Sequence, residues 1–214
     1  MKRTEWRIFT DQHLRPLVGD VRAVRNLAVF PSNEWVVNAL ALESSDFSPT
    51  KFNLTAFVLP LYVPTRHLYF TFGDRLGALS GRPEKWWDAS EPGWEQDVVS
   101  QIEEEALPFF DRVRDPHALA AYIASHLEKP MRSDPRIAEV RGYSLILGNQ
   151  WSEGNSELVS ALAMAVQLGE ESWAQESAER MTTVISDSAK DRDRVIDQFR
   201  QWRNQNYQTL KLAA

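Results

Sequence analysis

Cysteine is absent from the 214-residue chain. That absence excludes disulfides, thiol nucleophiles, iron–sulfur clusters and thiolate zinc sites together. Histidine is scarce, and His13, His67, His117 and His126 fall in neither H-E-x-x-H nor H-x-H spacing, so no metal site is assigned. Long apolar runs are missing as well. The most apolar stretch, Leu54 to Val63, contains Thr55 and Pro60 and is far shorter than the ~20 residues that cross a bilayer. The segment MKRTEWRIFTDQHLRPLVGD has no apolar h-region and no small-residue cleavage site, which is not the pattern of a secretory signal. A soluble, cytoplasmic protein without a membrane partner is the expectation. Positive charge is in deficit too: 30 acids against 24 bases leave −6, which argues against nucleic-acid binding through bulk basic charge. Neither G-x-S-x-G nor a phosphate-binding glycine fingerprint occurs, so no catalytic residue and no cofactor is assigned. Gly73, Gly77 and Gly81 recur every four residues, but Arg82-Pro83 follows them rather than a helix start. They read as a loop that needs positive φ.

What is present is a globular composition, 43% apolar, long enough for one compact body plus an appended lobe. Thr10 stands like an N-cap before a short helix over Leu14, Leu17 and Val18 that ends at Gly19, with Pro16 the weak point. Leu27 and Val29, then Trp35, Val37, Ala39 and Ala41, alternate around Pro31-Ser32-Asn33, which predicts two antiparallel strands. Val36, Leu40 and Leu42 make the second of these apolar on both faces, as in a covered or interior strand. A third strand is expected from about Lys51 to Leu61 and a fourth over His67–Phe72, stopped by Gly73. Leu76 to Glu95 reads as a long loop. Beyond it the period is helical: Trp94, Val98, Ile102 and Ala106 share a stripe that Pro108 should end or kink. Asp115-Pro116 and Asp134-Pro135 each place a capping carboxylate before a first-turn proline. The first of these helices, with Leu119, Ile123 and Leu127, should stop before Pro130, and the second should close at Gly148. A helix from Ser156 to about Leu168 should close at Gly169, and the stretch from Glu170 onward fits one interrupted or two successive helices. Leu147, Gly148, Trp151 and Ala161 resemble the opening of a tetratricopeptide unit, but an array needs about three units, and a helical hairpin explains them more economically. The fold class expected is α+β: an N-terminal, mostly antiparallel sheet of about four strands over residues 1–113, followed by an all-helical half over 114–214 that packs on it.

Charge and tryptophan are unevenly placed. Between Asp88 and Asp111 stand eight acids and no base, a local −8, whereas the first thirty residues carry six bases against three acids. Glu103, Glu104 and Glu105 point in three directions around a helix, so they read as a solvated face rather than a cage. Such a surface steers a basic partner. Trp6, Trp35, Trp151, Trp173 and Trp202 lie on or beside apolar faces and read as packing. Trp86, Trp87 and Trp94 cluster in KWWDASEPGW, where they either pin the loop to its own domain or serve as recognition anchors. Asp74-Arg75 and His67 join them as candidate binding residues.

The stretches NEWVVNALALESSDFSPTKFNLTAFVLPLY and WEQDVVSQIEEEALPFFDRV, with the order of elements around them, resemble an uncharacterised bacterial family of α+β domains of unknown function. The resemblance implies a fold and a bacterial source, and carries over no activity and no catalytic residue. Two functions follow. One is a non-enzymatic interaction protein of immunity or accessory type that binds a basic protein through the acidic, Trp-rich region. The other is a small-ligand or enzymatic domain with a pocket between sheet and helices, using His67, Arg75 and the loop aromatics.

Overall fold

The computed structural model describes residues 1–127, 129–169 and 171–212, with 129 and 130 in backbone only. The chain forms two compact units: one from Met1–Leu59, Arg66–Arg114 and the last residues from Leu210, the other from Pro60–Thr65 and Asp115–Thr209. The architecture is α+β, with an N-terminal antiparallel sheet followed by helices.

The first unit opens on a helix that starts earlier than the capping pattern suggests. α1 (Arg3–Phe9), a π turn over Thr10–Leu14 and α2 (Arg15–Val18) run on continuously. Thr10 is therefore not the cap: it is buried inside the helix, and its hydroxyl donates to the Trp6 carbonyl at 2.9 Å. Burial of Trp6, Phe9 and Leu14 outweighs the local preference of threonine for a helix start. The π turn also explains Pro16. In it the Arg15 N–H reaches back five residues to the Thr10 carbonyl, so the proline arrives where the ladder changes register and its missing donor is tolerated.

The sheet comprises β1 (Arg22–Val24), β2 (Leu27–Phe30), β3 (Val36–Ser44), β4 (Lys51–Pro60), β5 (Gly73–Arg75) and β6 (Trp87–Asp88), ordered β1-β2-β3-β4-β5 with β6 also on β4. β2 faces β3 antiparallel with Leu27 opposite Ala41, as the alternation predicts. β3 and β4 are interior and buried on both faces over most of their length, again as expected. The fourth expected strand is displaced. His67–Phe72 forms no strand, and Gly73–Arg75 pairs instead, with Gly73 opposite Phe57 and Arg75 opposite Thr55. In that register residues 67–70 would lie opposite 60–63, where β4 has already ended at Pro60, which has no N–H to give. Only Phe72 still reaches the ladder, its carbonyl accepting from Val58 N–H at 2.9 Å.

Beyond the loop, α3 (Trp94–Gln101), a π turn over Ile102–Ala106 and α4 (Leu107–Arg112) again form one run. Pro108 does not end it. The Leu107 N–H reaches Ile102 O, five residues back, so the same device that admits Pro16 admits Pro108.

The second unit is helical: α5 (Pro116–His126), α6 (Lys129–Arg132), α7 (Pro135–Leu147), α8 (Trp151–Gln167), α9 (Ser172–Ser188) and α10 (Arg192–Leu210). Asp115 caps α5 by accepting from Ala118 N–H, and Asp134 caps α7 by accepting from Arg136 N–H, both at 2.8 Å. Two successive helices, α9 and α10, fill the C-terminal stretch; Glu170, where that expectation began, lies outside the described residues. α8 starts at Trp151, five residues before the expected Ser156. α7 and α8 make the expected hairpin at close approach, since a Cβ on Gly154 would meet the Gly142 carbonyl at 2.8 Å. Asn206, fully buried, clamps segment 60–65: its amide donates to Leu61 O at 2.8 Å and Val63 O at 2.7 Å and accepts from Thr65 N–H at 3.0 Å. Among the described residues no helix is long and apolar enough to cross a membrane.

Candidate functional site

A strip of polar side chains crosses the apolar sheet of the first unit. Glu43 on β3, Asn53 and Thr55 on β4 and Arg75 on β5 share one face, because residues two apart on a strand do so and Thr55 lies opposite Arg75. Asn53 and Thr55 are buried, so each needs a partner. Thr55 Oγ1 donates to Glu43 at 3.1 Å, and the Asn53 amide, with its nitrogen toward Glu43 and its oxygen toward Arg75 Nε, closes the set. Arg75 donates to Glu43 at 3.0 Å from Nη2, and its Nη1 is held by Glu84. Hydrogen bonding to Glu84 is the main cause that raises the Arg75 pKa further, and the same contact holds the Glu84 carboxyl below its ordinary range. Above this pair sits Trp86, with the Arg75 guanidinium 5.9 Å from its ring and its Nε1 donating to Glu84 at 3.2 Å. The indole remains 43% exposed. A large aromatic is thus held at the surface by two fixed contacts, beside an arginine neutralised by two carboxylates.

The loop that carries Trp86 is latched from below. Glu105, inside the π turn between α3 and α4, is buried. Its carboxylate accepts from Gly77 N–H at 2.6 Å, from Ser80 Oγ, and from Arg82 at 2.5 Å. Burial pushes this carboxyl up, but the Ser80, Arg82 and Gly77 donors together outweigh that and hold it below its ordinary range. Gly77 has φ +95°, and a Cβ there would meet Pro83 O at 2.2 Å, so no other residue lets the loop approach Glu105 in this way. Gly81 also takes the expected positive φ, whereas Gly73 does not and sits in β5. Trp87 is buried, stacks on Phe52 at 5.8 Å and donates to Asp97 at 2.9 Å, while Trp94 packs on Phe9 and Phe52 at 5.2 and 5.5 Å. Trp87 and Trp94 pin the loop; Trp86, one residue earlier, faces out.

The remaining candidates from the sequence are dispersed. Asp74 is exposed and points to the face opposite Arg75, accepting from the Arg75 backbone N–H at 2.7 Å. His67 is exposed in a bend rather than on a strand, so it is not delivered to a sheet rim. The acidic segment is partly neutralised by residues the sequence places before it: Lys85 meets Asp97 at 2.8 Å, and Arg82 meets Glu105 and, at 3.8 Å, Glu104. Glu91, Glu95 and Glu103 keep no cationic partner among the described residues. Hydrogen bonds from Ser90, chiefly from its side chain, hold the Asp88 pKa at about 2. Sequence reading missed Glu43, Glu84 and the latch by Glu105. For Glu105 one signal was legible, since it stands seven residues after Val98 and three after Ile102, the spacing of the apolar stripe of its helix.

The fold and this cluster define an α+β protein with a rigidly mounted surface tryptophan. Comparison with protein-family models, curated proteins and solved structures finds no match.

Proposed function

We propose that the protein is a non-enzymatic interaction module that engages a protein partner through Trp86. The observation that carries this reading is the mounting of that side chain: an exposed indole fixed by Glu84 and Arg75, on a loop latched by Glu105. Tryptophan and arginine are, with tyrosine, the residues enriched at binding hot spots, and a side chain already held in place loses little entropy on binding. Glu91, Glu95 and Glu103, without a cationic partner among the described residues, favour a basic partner through steering. A ligand reading centred on Arg75 is less well supported, because Glu43 and Glu84 already occupy its guanidinium.

The test is affinity capture from a lysate of the source cells with wild type, Trp86→Ala and Trp86→Phe, followed by titration of the captured protein. Trp87 stays untouched because its removal hollows the core. Binding is expected to weaken by roughly tenfold or more for Trp86→Ala, to recover in part for Trp86→Phe, and to weaken with salt. A folded Trp86→Ala protein that binds every specific partner as tightly as wild type refutes the surface.

A further inference from the structure

The first unit carries a second feature, away from any role given to Trp86. An open cleft of about 570 Å³ is lined by Arg3, Arg7, Arg15, Arg22 and Arg25, with Asp11 as the only acid among its lining residues. Arg3 and Arg7 lie one helical turn apart on α1, Arg15 follows the π turn, Arg22 stands on β1, and Arg25 occupies the turn between β1 and β2. Asp11 is engaged by Arg15 at 2.8 Å. Arg3, Arg7, Arg22 and Arg25 have no carboxylate partner among the described residues. Arg75, Arg82, Arg136, Arg141, Arg180 and Arg194 each meet a carboxylate within 4 Å, so four arginines without one on a single cleft stand out even though single exposed arginines such as Arg112 also lack one. Five guanidiniums against one carboxylate repel one another in the free protein, and an incoming anion relieves that repulsion.

The backbone points the same way. Arg25 holds φ +58° at the first position of the two-residue turn that joins Val24 to Leu27. Left-handed backbone there favours glycine, or asparagine as a second choice. A sequence selected for the turn alone has no reason to put arginine at that position, and this arginine lines the cleft.

We propose that the cleft binds a small, multiply charged phosphate ligand of the di- or triphosphate class. Arginine forks match phosphate oxygens two at a time, and four unpaired forks suit a ligand of about three to four negative charges. The volume lies in the range of small-molecule sites, roughly 300–1,000 Å³. Among the lining residues Ala23 is the only apolar one and none is aromatic, so there is no platform on which the bases of a single-stranded nucleic acid could stack. A chain of net charge −6 confines the attraction to this cleft rather than spreading it along a face that a nucleic acid could follow.

The experiment is isothermal titration calorimetry of the full chain with inorganic tripolyphosphate in about 0.15 M salt. Parallel titrations use citrate, a single-stranded RNA oligonucleotide and phosphatidylserine-containing vesicles. The variants are Arg7→Gln, Arg22→Gln and Arg25→Gly, with Arg200→Gln on α10, which does not line the cleft, as a control. One saturable site is expected, weakened about tenfold by each of the three cleft variants, as loss of one charge-assisted contact implies, and unchanged in the control. Arg25→Gly is expected to lose affinity while melting no lower than wild type, a combination a purely structural role for this arginine does not produce. Absent binding, or tripolyphosphate affinity unchanged in all three cleft variants, overturns the proposal. Tighter binding of citrate overturns the phosphate assignment, and tighter binding of the oligonucleotide or the vesicles overturns the assignment to a small ligand.

Discussion

Replacing Glu105 by alanine removes the carboxylate that holds the Trp86 loop, and the size of the loss can be worked from its partners. The buried Gly77 N–H loses its acceptor, which costs about 1–3 kcal/mol. Ser80 Oγ keeps the Gly77 carbonyl at 3.0 Å as an alternative, so its share is small. Arg82 is 55% exposed, so solvent screening leaves that pair only a small share. One buried methylene adds ~0.8 kcal/mol. Removing the desolvation of a buried charge acts in the opposite sense, but the lowered pKa shows that the donors outweigh it. The net expectation is a destabilisation of about 3 kcal/mol. Because the chain has two compact units, one unfolding curve would mix them; exchange of the Gly77 amide reads this site alone. It should accelerate roughly a hundredfold, and Glu105→Gln, which keeps one acceptor oxygen, should fall between. The wild-type advantage also depends on pH. Glu105 gives up its proton more readily folded than unfolded, so the unfolded chain takes up the proton first as pH falls. The stabilisation is full above the ordinary value of 4.5 and disappears as pH drops through the lower folded value. A Gly77 amide that exchanges within threefold of wild type in Glu105→Ala at neutral pH would falsify the latch.

The adjacent tryptophans should separate cleanly in native-state hydrogen exchange of the protected β4 amides, which reads the first unit alone. Trp87→Ala is expected to cost about 3–5 kcal/mol through the cavity and the lost Asp97 bond, and Trp86→Ala less than about 1 kcal/mol; equal effects would contradict their opposite orientations. Arg25→Gly should stabilise the protein by up to about 1 kcal/mol by relieving a left-handed backbone, read as a rise in melting temperature, and a fall would show that the arginine serves the fold. Asn206→Ala should destabilise the helical unit by about 2–4 kcal/mol, since Leu61 O, Val63 O and Thr65 N–H lose their partner together. A loss under about 0.5 kcal/mol, measured by hydrogen exchange of the protected α10 amides, would show that the clamp carries no load.

Much of the fold was legible because its signals are local. Alternation through Leu27–Val29 and Trp35–Ala41 marks strands whether or not their partners are known, and the apolar second face of β3 marked it as a covered or interior strand, of which the sheet order shows the interior position. Asp115-Pro116 and Asp134-Pro135 act within one helical turn, so they read correctly. HLYFTF misled because alternation states only that a segment could be a strand; whether it becomes one depended on where β4 ran out. Thr10 misled for a similar reason, its capping preference being overridden by burial of Trp6 and Phe9 on the same helix. The candidate site was legible in part. KWWDASEPGW drew attention to the right loop, but the partners of Arg75 and Trp86 come from positions 43, 53, 55 and 84, brought together by strand pairing.

Composition and short-range pattern set the exclusions and the element types: without cysteine there is no thiol chemistry, and with period-two and helical patterns in succession the class is α+β. Those properties follow from composition and from interactions spanning a few residues. Which charges are neutralised and which are left alone depends on how the elements fold together. The local −8 of residues 88–111 is tempered by Arg82 and Lys85, while six bases scattered over the first thirty residues supply a cleft of five arginines. Charge is additive along a chain, but its field depends on distance in space, and only folding sets those distances.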